Sequence, residues 1–422
     1  MFRPAKLALI SPVDTNRRCG HTQGRCFFDR ERTRLVISTK LRPFGTTIFS
    51  EMTRLANEHG AVNLSQGFPD FDGPAEILDA AAAAMRSGHN QYARSMGAIP
   101  LVEAVARHQR RHYDLAYDPM SEVVVFSGAT EGIASSLIGL LNPGDEVILF
   151  EPFYDSYPAC LAMAGAVPRY CTLRFPDFAI DLDTLEALFT PRTRALLLNS
   201  PHNPTGKVFS RGELEAIAAL CGKHDVVAIA DEVYEHLTYD GAEHVPLASL
   251  PGMRDRTLTL SSAGKTFSLT GWKVGWATGP APLVAAAQAA HQFVTFATAT
   301  PLQIAIAQAL DTLGDAFYSQ LRSEYRERRD FLAGVLRSCG FQVALPRGTY
   351  FIVADFSALS SEDDRTFARD LVARCRVAAI PPSVFYAAHP EEGQHLLRFA
   401  FCKRMATLRT AAERMASLGP GT

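Results

Sequence analysis

A regular alternation of short apolar runs and helical segments places the strongest constraint on the fold. The predicted strands occupy residues 122–126, 146–150, 194–199, 226–230, 257–261 and 274–278. Unbroken apolar runs of this length are typical of strands that are covered on both faces. Because helical segments separate them, the pattern predicts an α/β fold built on an open, largely parallel sheet.

The pattern changes near residue 310 and divides the chain into predicted regions. A long charged helical stretch is followed by strands at 350–354 and 396–401 that bracket a helix at 364–375. This order is typical of a smaller α+β domain. We therefore predict a large domain over residues 74–309, a small domain over 310–422, and a segment over 36–73 that docks on the small domain.

Residues 1–35 form a predicted basic extension. The first 42 residues hold ten basic and three acidic side chains, whereas the whole chain has 42 Lys and Arg against 44 Asp and Glu. The extension is a transit peptide, a disordered tail or upstream sequence included by a wrongly chosen start codon, and its scarcity of serine disfavours the transit peptide. The near-neutral total does not favour a nucleic-acid partner, and no apolar run approaches the ~20 residues of a membrane span.

Cysteine and histidine spacing gives no sign of a metal site. The eight cysteines contain no CxxC pair, which is typical of reduced thiols in a cytoplasmic protein. No HExxH motif occurs, and His236 and His244 flank a polar loop, so both are predicted to lie on the surface. The sequence therefore predicts a cytoplasmic protein without a bound metal.

Polar residues cluster at the carboxyl ends of four predicted strands, where open α/β sheets bind their ligands. They occupy residues 127–130, 199–203, 231–234 and 261–265. Lys265 follows Gly264 and precedes Thr266, as in a phosphate-binding loop, but that motif needs a glycine at position 259, which is Thr259. This spacing excludes a phosphate-binding loop of the nucleotide-binding type.

Several motifs, in order, resemble those of class I pyridoxal-phosphate aminotransferases. Residues 262–275 (SAGKTFSLTGWKVG) resemble the lysine signature, 203–206 (NPTG) the NPxG turn, and 231–234 (DEVY) the D-x-x-Y motif. Residues 63–71 (NLSQGFPDF) and 90–92 (NQY) are similar to methionine aminotransferases and to the kynurenine aminotransferase/glutamine transaminase K group. The resemblance covers about residues 44–417. It implies fold type I, with a mainly parallel seven-stranded sheet, and pyridoxal 5'-phosphate as cofactor.

The resemblance assigns the catalytic residues. Lys265 is implied as the Schiff-base lysine and as the acid/base that moves a proton during transamination. Asp231 is implied to keep the cofactor's pyridine nitrogen protonated, while Tyr234 and Asn203 hydrogen-bond its phenolic oxygen. Asn203 is also implied to contact the substrate.

The same resemblance implies how the rest of the cofactor is held. A phosphate cup is expected from a helix N-terminus together with a hydroxyl and an amine. Its members are Gly128, Ala129, Thr130, Ser262 and Lys273. Many class I members have Arg at the position of Lys273, so the positive charge here is a single ammonium group. Phe153 is implied to stack on the cofactor ring, and Tyr92 to reach the phosphate from the neighbouring subunit of a homodimer.

For the substrate, the resemblance implies a carboxylate clamp and an apolar side-chain pocket. Arg398 lies in a predicted strand and would pair with the amino-acid carboxylate. Gly67 would cover the substrate. The substrate side chain would contact Phe49, Phe68, Tyr154 and the partner's Phe296. Phe49 stands where kynurenine-type members often have Trp, which disfavours kynurenine.

The predicted function is therefore ping-pong transamination between an amino acid and a 2-oxo acid. Methionine is the first expected donor, followed by glutamine, aromatic amino acids and leucine. A cysteine-S-conjugate β-lyase and a kynurenine–oxoglutarate aminotransferase remain alternatives on the same site. A non-catalytic regulator is disfavoured, because only about 40 residues precede the resemblance and they show no helix-turn-helix pattern.

Overall fold

The computed structural model describes residues 37–418, so the predicted extension over residues 1–35 lies outside the described residues. The strands are β1 (Val62–Asn63), β2 (Val123–Phe126), β3 (Glu146–Glu151), β4 (Val167–Thr172), β5 (Thr193–Asn199), β6 (Val227–Asp231), β7 (Thr257–Ser262), β8 (Gly275–Thr278), β9 (Gln342–Ala344), β10 (Phe351–Asp355), β11 (Val377–Ala378) and β12 (Leu396–Ala400). The α-helices are α1 (Ile48–Glu58), α2 (Ala75–Arg86), α3 (Ile99–Tyr113), α4 (Ala129–Leu140), α5 (Ser156–Ala164), α6 (Leu182–Ala187), α7 (Arg211–His224), α8 (Ala263–Thr266), α9 (Ala281–Val294), α10 (Thr300–Thr312), α11 (Asp315–Ser338), α12 (Asp364–Cys375) and α13 (Met405–Met415).

The large sheet has seven strands in the order β2-β8-β7-β6-β5-β3-β4. Strand β8 runs antiparallel to both of its neighbours, and every other pair in this sheet is parallel. The prediction of a mainly parallel, seven-stranded α/β sheet is thereby confirmed. Strand β4 is the one that the sequence pattern missed. It contains Pro168 and Arg169, which fit a strand at the sheet edge, where proline needs no ladder partner.

The two faces of the large sheet explain the unbroken apolar runs. In β5, Leu196 and Leu198 pack in the cluster that includes Leu214 and Ile217 of α7, whereas Leu197 packs in the opposite cluster with α4 and α5. Successive side chains of a strand point to opposite faces, so a strand between two helical layers needs apolar residues at every position.

A second sheet lies beside the first. Strands β9, β10 and β12 are antiparallel in the order β12-β10-β9, and the short strand β1 pairs in parallel with β11. Helices α11, α12 and α13 pack with this sheet in one apolar core, which α1 joins through Met52 and Ala56. In this sheet Arg398 pairs in register with Val353, and its guanidinium donates to Asn203 in the segment that follows β5.

The loop after β6 is more enclosed than its sequence suggests. His236 and His244 are only 7% and 8% exposed, so the prediction that they lie on the surface is wrong. The His236 ring stacks on Tyr318, and the His244 imidazole lies 3.0 Å from a carboxylate oxygen of Glu232. Polar residues that bond to one another can be buried together, and a hydropathy pattern does not distinguish them from a surface loop.

The described cysteines and helices add two observations. The six cysteines within residues 37–418 are free and buried. In the same part of the chain no helix combines the length and the apolarity that crossing a bilayer requires.

Candidate active site

A cavity of about 380 Å³ lies where the carboxyl ends of the large sheet's strands face the second sheet. Its lining includes twelve of the predicted site residues: Phe49, Gly67, Gly128, Ala129, Thr130, Asn203, Asp231, Tyr234, Ser262, Lys265, Lys273 and Arg398. These positions span some 350 residues of sequence. They meet because the ends of β2, β5, β6 and β7 share one edge of the sheet, where α/β proteins bind ligands.

Lys265 is presented to the cavity by α8, a single helical turn that begins directly after β7. Its ammonium nitrogen lies 5.8 Å from the ring centroid of Tyr234 and 5.7 Å from that of Tyr350. Burial lowers the pKa of Lys265 to about 8, although the Asp231 carboxylate acts in the opposite direction. A substantial fraction of this lysine is therefore a neutral, nucleophilic amine near pH 8.

Asp231 ends β6 and is 4% exposed. Burial raises its pKa to about 6, and the hydroxyl of Tyr157 donates a 2.6 Å hydrogen bond to its Oδ2 that limits the rise. The Asn199 side-chain amide donates to the Asp231 backbone carbonyl at 2.8 Å and fixes the strand end. The carboxylate is thus rigidly held in the cavity wall.

The start of α4 forms a site for an anion. Gly128 is its N-cap at φ +81°, and no side chain caps the exposed N–H groups of the first turn. A Cβ at Gly128 would lie 2.9 Å from Nζ of Lys273, so the ammonium group packs directly against this backbone. Ser262 adds a hydroxyl that accepts from the Gly264 N–H at 3.1 Å. Helix N–H groups, an amine and a hydroxyl converging in this way suit a phosphate.

Arg398 is the cationic group on the opposite side of the cavity. Nη1 donates to the side-chain oxygen of Asn203 at 3.0 Å, and Nη2 donates to the carbonyl of Ser65 at 2.9 Å. The guanidinium lies 4.2 Å over the ring of Phe351, and burial lowers its pKa to about 10. Among the described residues its hydrogen-bond partners are neutral, and Nε has none. A buried guanidinium whose described hydrogen-bond partners are all neutral is suited to bind a carboxylate.

The structure corrects the prediction that Phe153 stacks on the cofactor ring. Its side chain is 5% exposed and packs in the core, 5.7 Å from the ring of Tyr170. The next residue, Tyr154, lines the cavity instead. Both positions are aromatic, so composition did not distinguish them; the backbone direction after β3 turns one ring inward to the core and the other toward the cavity.

Tyr92 and Phe296 lie outside the cavity of their own chain. Their rings meet edge to face at 5.2 Å on the surface, and they are 85% and 46% exposed. Their assignment to a neighbouring subunit's active site stays a prediction.

The residues of the cavity wall that sequence reasoning did not assign to the site include Asp155, Tyr157 and Phe351. Tyr157 lies one helical turn after Tyr154 near the start of α5, where an aromatic residue is ordinarily read as core. The only signal was the run of polar and aromatic residues that follows Glu151 at a strand end.

The comparison with protein families decides the class. The family model for aminotransferases of class I and II matches residues 59–415. The chain belongs to this family. The predicted resemblance and the prediction that the chain is a transaminase are confirmed.

The relatives span nearly the whole chain. A relative from Mycobacterium tuberculosis, named a probable N-succinyldiaminopimelate aminotransferase, is 50% identical over 392 residues, which cover 90% of this chain and 98% of that protein. The methionine aminotransferase of Escherichia coli K12 is 40% identical over 385 residues, or 91% of this chain and 99% of the relative. The solved structure of N-succinyldiaminopimelate aminotransferase from M. tuberculosis aligns with a TM-score of 0.88 at 49% identity, covering 91% of this chain and all of that one.

Proposed function

We propose that this aminotransferase uses pyridoxal 5'-phosphate and takes the amino group of an amino acid with an uncharged side chain, methionine first, passing it to a 2-oxo acid. One observation carries the proposal: Lys265, Asp231, Lys273 and Arg398 line a single cavity whose wall also includes six aromatic residues. Each of the four has a charge or a protonation state that a different part of the reaction needs.

The residues present fit the proposed cofactor. The uncapped start of α4, with the Lys273 amine against Gly128, provides the N–H donors and the positive charge that a phosphate dianion requires. The buried Asp231 carboxylate provides the negative charge that a protonated pyridine nitrogen requires. When bound, pyridoxal phosphate supplies an electron-withdrawing ring that stabilises the negative charge left when the substrate Cα–H bond breaks.

Lys265 performs the proton transfer in this proposal. Its lowered pKa leaves Nζ unprotonated in a large fraction of molecules near pH 8, so it can accept the Cα proton and later return a proton. The rings of Tyr234 and Tyr350 flank Nζ and restrict the directions from which it approaches the substrate. Tyr157 holds Asp231 in place throughout by its hydrogen bond.

Arg398 would bind and orient the substrate carboxylate. Asn203 and the Ser65 carbonyl already fix the plane of the guanidinium, so little conformational entropy is lost on binding. Paired charge-assisted hydrogen bonds to a planar carboxylate then fix the direction of the Cα–H bond relative to Lys265.

The side-chain pocket supports an uncharged donor. Phe49, Phe68 and Tyr154 are aromatic, and Asp155 is a carboxylate. Within residues 37–418 the cations of the cavity wall are Lys265, Lys273 and Arg398, and each already has a role. A second substrate carboxylate would meet an acidic group rather than a basic one.

A second candidate donor is N-succinyldiaminopimelate, which the 50% identity to the M. tuberculosis relative favours. By its chemical structure this compound has three carboxylates, so it would need basic groups beyond those of one chain's cavity. A kynurenine donor and a cysteine-S-conjugate β-lyase activity remain alternatives on the same site, supported by the aromatic wall and the 38% identity to kynurenine–oxoglutarate transaminases.

We also propose a homodimer with shared active sites. Tyr92 and Phe296 form an exposed aromatic pair, and Phe293 nearby is 85% exposed. Exposed aromatic groups of this kind are typical of association surfaces. The predicted cytoplasmic location remains a proposal.

Single-turnover spectra of the full chain test the function. Purified protein is mixed with methionine, glutamine or N-succinyldiaminopimelate without an oxo acid, and conversion of the yellow cofactor band is recorded. Fast conversion by methionine supports the proposal; conversion by N-succinyldiaminopimelate alone would replace it with the second candidate. Pyruvate release from a cysteine conjugate without an added oxo acid would show lyase activity.

The Lys265→Ala variant is the matched control. It should show no conversion with any donor, because the proton acceptor is gone, while its unfolding temperature stays close to that of the wild type. Undiminished conversion in this variant would refute the assignment of Lys265.

A further inference from the structure

A second cluster of titratable groups lies behind the cavity. His108 and His112 are one turn apart on α3, and they face His236 and Glu235 of the loop that follows β6. His108, Glu235 and His236 are 1%, 5% and 7% exposed. None of them lines the active-site cavity, and the transamination described above does not use them.

The donor atoms of three of these residues converge. One nitrogen of His108, one nitrogen of His236 and a carboxylate oxygen of Glu235 all lie within 4.8 Å of one another. Nε2 of His108 and Nε2 of His236 are 2.9 Å apart. Four-coordinate zinc with bonds of ~2.0–2.1 Å has ligand atoms roughly 3.3 Å apart, so closure around an ion changes these separations by at most about 1.5 Å.

Neighbouring side chains fix the orientation of this set. The His236 ring stacks on Tyr318 with 4.1 Å between centroids. Tyr113 donates a 2.7 Å hydrogen bond to one oxygen of Glu235, and Ser261 donates to the other. Supporting hydrogen bonds of this kind orient the ligands in known metal sites.

The charge balance of the cluster points to a cation. Hydroxyl groups, not basic side chains, make the hydrogen bonds to the buried Glu235 carboxylate in the described part of the chain. His244 pairs with Glu232 instead.

Two further imidazole nitrogens at this cluster have no hydrogen-bond partner among the described residues. Nδ1 of His108 and Nε2 of His112 are buried without a hydrogen-bond partner. The ring of His112 lies 4.5 Å from that of His108 and 5.2 Å from that of His236. His112 is half-buried, so this imidazole is more accessible than those of His108 and His236.

We propose that His108, His236 and Glu235 bind one divalent cation of the zinc class, with His112 as the adjacent imidazole. Two or three imidazoles with one carboxylate form a donor set that zinc prefers. The ion would join α3 to the loop that follows Asp231 and carries Tyr234, so its role is structural. No ligand reaches the active-site cavity, which separates this site from the chemistry.

Metal content and cobalt spectroscopy test the proposal on the full chain as purified. The protein is treated with a chelator, re-exposed to Zn²⁺ or Co²⁺ and dialysed, and bound metal is counted by mass spectrometry. We expect one ion per chain, an increase in unfolding temperature, and visible d–d bands of tetrahedral Co²⁺.

Two variants remove ligands with little change of volume: His236→Gln and Glu235→Gln. Each should weaken binding by at least about tenfold, the lower bound seen when even a supporting residue of a metal site is lost. His389→Gln is the matched control, because His389 is an exposed histidine that also bonds a glutamate, Glu391, at 2.8 Å. It should bind the ion like the wild type.

The proposal is overturned if the wild-type chain retains no Zn²⁺ or Co²⁺ after dialysis, or if both ligand variants retain the ion as well as the control. If a variant does not fold, as its unfolding curve would show, the wild-type measurement decides: Co²⁺ without tetrahedral bands refutes the site. These outcomes do not depend on the amino donor or the cofactor.

Discussion

Replacing Asp231 with Asn should stabilise the cofactor-free protein while it removes the activity. Burial raises the pKa of Asp231 from the ordinary 3.8 to about 6 in the folded chain. Each unit corresponds to about 1.4 kcal/mol, so the ionised carboxylate destabilises the cofactor-free fold by about 3 kcal/mol at pH 7. Asn is neutral, has nearly the same volume and can still accept the Tyr157 hydrogen bond.

The sign of the pH dependence follows from proton binding. Between pH 4 and 6 the folded state holds the Asp231 proton more tightly than the unfolded state, so the wild type loses stability as pH rises through this window. The advantage of the variant should be about 3 kcal/mol at pH 7, about half that at pH 5, and small near pH 4. With roughly 2 cal/mol/K of unfolding entropy per residue, 3 kcal/mol corresponds to an increase in Tm of about 3 °C.

The assay is thermal unfolding of cofactor-stripped protein at pH 7, 5 and 4, repeated with pyridoxal phosphate. Asp79→Asn, at an exposed position of α2, is the control and should not change Tm measurably. With cofactor bound, the wild type should have the higher Tm of the two proteins. A protonated pyridine nitrogen stabilises the Asp231 carboxylate, whereas the neutral Asn amide forms no ion pair with it. A variant that is less stable than the wild type without cofactor, or a difference that does not vary with pH, would refute the reasoning.

Four further predictions concern the cavity. Arg398→Ala should raise KM for the amino acid by roughly 10- to 150-fold, the equivalent of ~1.5–3 kcal/mol for a charged hydrogen bond. The visible spectrum should show no loss of bound cofactor. An equal loss of cofactor would show that Arg398 has a structural role. Tyr157→Phe removes the hydrogen bond to the buried carboxylate, and should lower kcat several-fold and move the acid limb of its pH profile upward; an unchanged profile would contradict this. The rate at which the stripped enzyme takes up pyridoxal phosphate should rise with pH to a plateau above about 8, since only unprotonated Lys265 is nucleophilic; a rate that falls over this range would exclude it. Gly128→Ala should weaken cofactor affinity, because the new methyl group would meet the Lys273 amine at 2.9 Å. A fluorescence titration measures this affinity, and an unaltered value would argue against a phosphate site at the start of α4.

Much of the architecture could be predicted from sequence because it depends on local patterns. Six strands of the large sheet were predicted to within one residue at each end, since strands buried on both faces have unmistakable apolar runs. The edge strand β4 was missed because solvent covers part of it and its composition is mixed. Such strands are recognised by their pairing partner rather than by their own residues.

Site residues that belong to a short sequence motif could be predicted. Site residues whose role depends only on a contact with a distant part of the chain were missed. Phe153 and Tyr154 are adjacent and both aromatic, so the direction of the chain after β3 had to decide which one reaches the cavity. Tyr157 bonds to Asp231 across 74 positions. His108 and His236, both buried, meet across 128 positions, and neither resembles a ligand in its own sequence context.

The sequence by itself determined the family, the parallel sheet and the residues that line the strand ends, because apolar periodicity and short motifs are properties of neighbouring residues. Only the tertiary structure decided which distant side chains meet. Arg398 reaches Asn203 across 195 positions because the second sheet packs against the ends of the first. The same packing removes water from Asp231 and Lys265 and moves their pKa values toward 6 and 8. Desolvation depends on the whole surrounding shell, and no single segment of the chain encodes it.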